Sequence, residues 1–228
     1  NTADYALFQS AYVAGLQKKH STKISRMNDL ISTYPNSEYV DDALYEIGRA
    51  YLMLNNDREA INSYRKLVSL QPNSMTARKA ALEIGMIHQN NDNLDEAIIA
   101  YQSVISHYTG TVEAFTALES LENIYVDMNN VRAYLDYVKS INMEMPRITV
   151  SHEDSISYIA AEKQYMNENY RQAINSFSLY LKNYCAGGRF CTNAQYYLAD
   201  SYYRLRDFVN ALTEYQRVIH IPGNQFME

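Results

Sequence analysis

The chain has 228 residues, 47% hydrophobic and 20% charged, with a formal net charge of -6. That is too apolar for a disordered segment and, with no long basic run, a poor match to a phosphate backbone or an anionic membrane. No stretch approaches the ~18 apolar residues of a membrane span, and four Pro and seven Gly favour helix over a turn-rich sheet.

The 22 Tyr, against 6 Phe and no Trp, point to many half-buried positions of a thin, elongated molecule, because tyrosine buries its ring and keeps its hydroxyl wet. The first residues hold a degenerate copy of a pattern that is clear further on, with Ala11, Lys23, Met27 and Pro35 in its key places. Asp41 to Asn55 then reads as one helix and Asp57 to Leu70 as its partner. Asn55-Asn56 is the tight turn between them, Asp57 is the expected cap, and Pro72 stops the second helix. Gly48 and Tyr51 lie on the first helix; Ala60 and Tyr64, four apart on the second, share one face.

Gly85, Ala97 and Tyr101 repeat these small and aromatic positions 37 residues later. Leu121, Ala133 and Tyr137 follow, with Pro146 displaced; then Ala161, Ala173 and Phe177; then Ala199, Ala211, Tyr215 and Pro222. The second-helix anchors Lys23, Ala60, Ala97, Ala133, Ala173 and Ala211 are separated by 37, 37, 36, 40 and 38 residues. Chance amphipathicity preserves a 3.6-residue period but not a common spacing of helix pairs. The small residues let neighbouring helices approach, the tyrosines fill the adjacent groove, and a stack of hairpins buries what one hairpin cannot. The expected fold is an all-α superhelix of about six hairpins, in approximate units 3–36, 40–74, 77–110, 113–146, 153–186 and 191–224 of one continuous array.

The copies are uneven. The third hairpin after the degenerate one has Ser120-Leu121 where earlier copies have Ile-Gly, so a looser contact is expected there. Met143 to Val150 forms an irregular connection around Pro146 that bends the stack or divides it. Ala186 to Phe190, AGGRF, is a longer connection whose glycines make it mobile in principle. Cys185 and Cys191 flank it, and both a bridge across the loop and two unpaired small residues at helix ends fit this spacing. The chain begins at Asn1 without Met, so a processed or engineered fragment is expected, in which a cleaved export signal or lipid attachment point would not be seen.

No catalytic constellation stands out. His20, His88, His107, His152 and His220 belong to no HExxH or CxxC arrangement. His152-Glu153-Asp154 reads as a capping segment and His88 as a packing residue in a tyrosine position. Gly187-Gly188 lacks the context of a phosphate loop, and the cysteines have no identifiable activating base. The expectation is a non-enzyme with no cofactor and no metal.

The pattern resembles the tetratricopeptide-repeat family. Its best copy supplies Leu44, Ile47, Gly48 and Tyr51 on the first helix, then Ala60, Tyr64, Leu67 and Pro72, with Leu67 where the family places Ala. The first copy departs further: Lys23 replaces the second-helix Ala, which suits an exposed end or a contact with residues preceding Asn1. Within the family, Tyr34, Pro35, Ser37, Ala43, Tyr45 and Gly48 resemble the connections of bacterial envelope repeat proteins of the outer-membrane assembly and Tol-Pal systems. That resemblance implies a periplasmic or periplasm-facing scaffold.

It also implies recognition of a protein or peptide by outward positions of the first helices, here Tyr45, Glu46, Arg49, Glu83, Met86 and Asn90, with Tyr197 and Tyr203 in later units. Plain packing or solvation is the competing reading of each. The alternative function is a structural or self-associating module, with packing surface left bare near the final IPGNQFME segment.

Overall fold

The computed structural model describes residues 2–141 and 149–221. Twelve α-helices run through them, with no strand among the described residues: α1 (Thr2–Leu16), α2 (His20–Thr33), α3 (Val40–Met53), α4 (Asp57–Leu70), α5 (Met75–Asn90), α6 (Leu94–His107), α7 (Val112–Asp127), α8 (Val131–Ser140), α9 (Val150–Met166), α10 (Tyr170–Tyr184), α11 (Cys191–Arg204) and α12 (Phe208–Ile219). The chain forms two compact units, residues 1–120 and 121–228, divided inside α7. Pro146, Pro222 and most of the Met143–Val150 connection lie outside the described residues.

Each hairpin turn closes in the same way. Lys18, Asn55, Asp92, Asn129, Glu168 and Arg206 adopt the left-handed conformation, with φ between 53° and 62°. At Asn55 the amide donates to the Leu52 carbonyl (3.0 Å) while the next amide, of Asn56, reaches back to Tyr51 (2.9 Å). This Schellman pair of bonds satisfies carbonyls the helix end leaves open, and it recurs at all six turns. Asn and Asp tolerate the left-handed region better than most residues. In α4, α8 and α12 the side chain of the residue after the turn then caps the second helix: Asn56 accepts from the Glu59 amide (3.3 Å), so the cap is Asn56 and not Asp57, which is the first helical residue.

Counted from these turns, the copies repeat at 37, 37, 37, 39 and 38 residues. The anchor lies five residues beyond the turn at Lys23, Ala60, Ala97, Ala173 and Ala211, which in α8 is Tyr134 rather than Ala133. Tyr134 is 2% exposed, whereas Ala133 and Tyr137 are only half-buried. A large side chain thus fills the small-residue place in this hairpin, one position beyond the anchor expected from sequence.

The core follows the periodicity. In the first unit Ala43, Ile47 and Ala50 of α3 bury against Ile24, Met27 and Leu30 of α2, and Ala80, Ile84 and Ile87 of α5 against Ala60, Tyr64 and Leu67 of α4. Tyr51 is half-buried beside both clusters. In the second unit Ala173, Phe177 and Tyr180 of α10 pack with Ala194 and Leu198 of α11. Ala199 and Ala211 are buried, and Tyr215 is half-buried with its hydroxyl donating to Asp200 (3.0 Å). Gly48 and Gly85 face tyrosine rings: a Cβ added to Gly48 would sit 2.3 Å from Tyr64 Cε1, and one on Gly85 2.5 Å from Tyr101 Cε1.

Lys23 is not at an exposed end. It is 7% exposed, and its ammonium is bonded to Glu46 on α3. Gly15 makes room for its stem, since a Cβ there would meet Lys23 Cδ at 2.8 Å. The cation thus reaches out of a small-residue position along a glycine and finds a carboxylate on the next hairpin.

A further joint was not anticipated. Acids fourteen residues before the turn hold the connection into the following hairpin: Ser37 donates to Asp4 (2.8 Å), Thr76 to Asp41 (3.0 Å) and the Arg189 amide to Asp154 (2.9 Å). Asp154 is therefore a buried anchor and not part of a cap; α9 is capped by Thr149, which accepts from the His152 amide (3.1 Å). His152 instead lies 2.7 Å from Glu122. A disulfide joins Cys185 to Cys191, with Cα atoms 5.5 Å apart. With the Gly188 amide bonded to the Tyr184 carbonyl (2.6 Å), the AGGRF segment is tied down at several points, contrary to the mobility its glycines led one to expect.

Candidate partner-binding surface

The first helices of the hairpins bury one face against the second helices and leave the opposite face to solvent. In the first unit this face belongs to α1, α3 and α5. The structure divides the six residues expected there into two groups. Tyr45, Glu46 and Glu83 are half-buried and engaged within the protein. The Tyr45 ring packs 5.5 Å from that of Tyr64, its hydroxyl donates to Glu83 (3.4 Å), and burial, with the Glu83 charge beside it, pushes its pKa up to about 12. Glu46 lies between Lys23 and Arg49, the latter at 3.1 Å.

Arg49, Met86 and Asn90 are exposed. Arg49 and Met86 occupy the same place, six residues before the turn, and Met53 and Asn90 the place two before it. The equivalent residues of α1 are Tyr12 and Leu16, also exposed. Sequence reasoning missed Tyr12, Leu16 and Met53, although the repeat register applied to every copy finds them. The set is mainly apolar, with one guanidinium already balanced by Glu46 and one amide. Unbranched methionines let such a surface adapt its shape to a partner.

Tyr197 and Tyr203 belong to the other unit, away from this set in the chain. Tyr197 points inward: its ring is 4.7 Å from Tyr165 and stacks on Phe177 at 5.8 Å. Tyr203 is exposed, beside Phe208 at 5.8 Å.

Asp200 gathers the polar groups of this region, accepting from the Tyr165 hydroxyl (2.6 Å), the Tyr215 hydroxyl (3.0 Å) and Arg204 Nε (3.0 Å). Burial acts to raise its pKa, but these hydrogen bonds outweigh burial and hold it below the ordinary 3.8. A depressed folded-state pKa gives stability that is present above the unfolded value and lost as pH falls through the folded one. The native chain is therefore expected to be more stable than Asp200→Asn near neutrality, with the gap closing below pH 3.8 in an acid titration followed by circular dichroism.

Each unit also carries a groove between its helices. One, of about 390 Å³, lies among Arg65, Val68, Ile84, His88 and Ile99; the other, of about 340 Å³, among Leu135, Lys139, Ser157, Ala160 and Leu179. Among the described residues, no three His, Cys, Asp or Glu side chains gather as a metal site, and no helix is long and apolar enough to cross a membrane.

Models of the tetratricopeptide repeat match residues 5–37, 42–74, 79–111 and 160–225. A tetratricopeptide repeat protein from Parabacteroides merdae has a similar fold, with a TM-score of 0.53 at 14% identity over 96% of this chain and 80% of that one. So has the repeat domain of yeast Sti1 in complex with pHSP90, with a TM-score of 0.50 at 12% identity over 96% of this chain and 77% of that one. No curated protein sequence matches the chain.

Proposed function

Since the chain belongs to the tetratricopeptide-repeat family, we propose that it is a non-catalytic scaffold that binds a protein or peptide on the exposed face of α1, α3 and α5 and works in the bacterial cell envelope. The observation that carries the reading is the register-matched set Tyr12, Leu16, Arg49, Met53, Met86 and Asn90, exposed where a folded monomer normally keeps polar groups. Apolar area supplies affinity there and Asn90 supplies hydrogen bonding. The envelope assignment draws support from the Cys185–Cys191 disulfide, because such bonds persist in oxidising compartments such as the periplasm. The Tyr34-to-Gly48 resemblance points the same way.

The test is capture from envelope and cytosolic extracts in parallel, identification by mass spectrometry, and direct titration of the remade partner. The double variant Met53→Glu, Met86→Glu is expected to weaken that partner at least about tenfold, because charge is placed in an apolar contact, with helicity unchanged. Binding that survives this change but is lost in Ile99→Glu moves the site to the groove that Ile99 lines. A partner recovered only from cytosol sinks the envelope assignment.

A further inference from the structure

Aliphatic residues stand six and thirteen places beyond the turn in four second helices on which the hairpin joints bear: Ile24 and Ile31 in α2, Ile61 and Val68 in α4, Ile174 and Leu181 in α10, and Leu212 and Ile219 in α12. In α2, α4 and α10 they pack into clusters completed by α3, α5 and α11. In α12, Leu212 is 62% and Ile219 55% exposed, and Phe208 is exposed on the same face, four residues before Leu212.

The complementary surface is also bare. The face with which a first helix covers the preceding hairpin consists of residues four and three apart: Ala43, Ile47 and Ala50 in α3; Ala80, Ile84 and Ile87 in α5; Ala194, Leu198 and Ser201 in α11. All of these are buried. The same places in α1 hold Ala6, Ser10 and Val13, of which Ala6 is exposed, Ser10 half-buried and Val13 47% exposed. Small residues at the first place let the α3, α5 and α11 backbones approach the preceding helix, and Ala6 keeps that property.

We propose that the α12 face receives α1 of a second copy of this chain, so that copies associate head to tail through a joint of the kind that links their own hairpins. The internal joints specify the occupant: a first-type helix with alanine in the leading place, set against two aliphatics seven residues apart. α1 keeps the leading alanine and an aliphatic residue, Val13, in the last place, with Ser10 where α3, α5 and α11 carry Ile or Leu, and it leaves Ala6 and Val13 exposed. Such a contact is heterologous, and repetition of it builds open chains or rings rather than closed two-fold dimers. It uses surfaces other than the exposed Tyr12-to-Asn90 set and stands independently of the function proposed above.

Sedimentation velocity on the chain, over a roughly hundredfold concentration range, tests the proposal. The native chain is expected to grow beyond a dimer. Leu212→Glu, which blocks the tail, and Ala6→Glu, which blocks the head, are each expected to weaken self-association at least about tenfold. Mixed, the two variants retain one intact joint and form 1:1 dimers that grow no further. A native chain that stays monomeric throughout overturns the proposal. So does Ala6→Glu self-associating as the native chain does, which is tail-to-tail pairing, or Leu212→Glu having no effect. Circular dichroism checks the fold of each variant, and Ile219→Lys and Val13→Lys replace any that loses helicity, with the same outcomes required.

Discussion

Tyr64→Phe is expected to leave the chain as stable as the native one or more so, while Tyr64→Ala costs about 3–5 kcal/mol. The ring is wholly buried between α3 and α5, but its hydroxyl has no hydrogen-bond partner among the described residues. Removing an unsatisfied buried hydroxyl regains its desolvation cost, on the order of 1–2 kcal/mol, while the apolar ring stays in place. Tyr101 is the internal control, since its hydroxyl donates to Gln89 at 2.7 Å. Tyr101→Phe breaks that bond and is expected to destabilise by about 1 kcal/mol. Gly48 completes the argument. Alanine in mid-helix normally gains about 0.5–1 kcal/mol over glycine, but at Gly48 its Cβ runs into a ring that is packed on every side, and overpacking costs about 1–3 kcal/mol. Gly48→Ala is therefore destabilising in the native chain and stabilising by about 0.5–1 kcal/mol in Tyr64→Ala, where the ring is gone. Urea unfolding of the four proteins measures this. If Gly48→Ala has the same sign in both backgrounds, the ring does not set the need for glycine.

That close approach was legible before any coordinates, because Gly48 with Tyr64 and Gly85 with Tyr101 recur at one spacing. The turns were legible only in part. Asn55-Asn56 reads as a turn, although the cap expected at Asp57 falls on Asn56, and Asn55, Asp92 and Asn129 are of types that tolerate the left-handed region, but Lys18, Glu168 and Arg206 adopt the same conformation with side chains that give no such signal. Without a common turn marker, Ala133 looked like the anchor of its hairpin, since alanine fills that place in four other copies; the turn shows that Tyr134 holds it. The exposed residues were harder still. Sequence places Glu46 and Met86 alike on a first helix, but only the fold reveals that Lys23 arrives from the preceding hairpin to engage Glu46 while Met86 is left in water. Pairing across 23 residues leaves no local trace in composition or period. The bare faces of α1 and α12 follow the same logic, being ordinary repeat positions whose meaning depends on what stands next to them.

Asp154→Ala is expected to be the most damaging single change in the second unit outside its apolar core, at about 2–4 kcal/mol. The carboxylate accepts from the Tyr180 hydroxyl and the Arg189 amide, and that hydroxyl in turn accepts from the Phe190 amide at 3.2 Å. Alanine removes both acceptor oxygens at once and leaves buried donors unmatched. Gly188 belongs to the same arrangement, since a Cβ there would lie 2.8 Å from the Tyr184 carbonyl oxygen and 3.1 Å from Asp154 Oδ1. Asp154→Asn keeps the shape and one acceptor, so its cost is expected to fall to about half. The double replacement Cys185→Ser, Cys191→Ser opens a short loop and is expected to cost about 2 kcal/mol, by a different route: the unfolded chain gains freedom while the carboxylate contacts persist. Amide hydrogen exchange separates the two. Asp154→Ala accelerates exchange at Arg189 and Phe190 together, because both amides depend on the same carboxylate, directly or through Tyr180. The serine pair leaves those two amides protected relative to Asp154→Ala. Native-like protection at Arg189 in Asp154→Ala would mean that the disulfide and Gly188 hold the segment without the carboxylate, and that the acid at this register is dispensable to the joint.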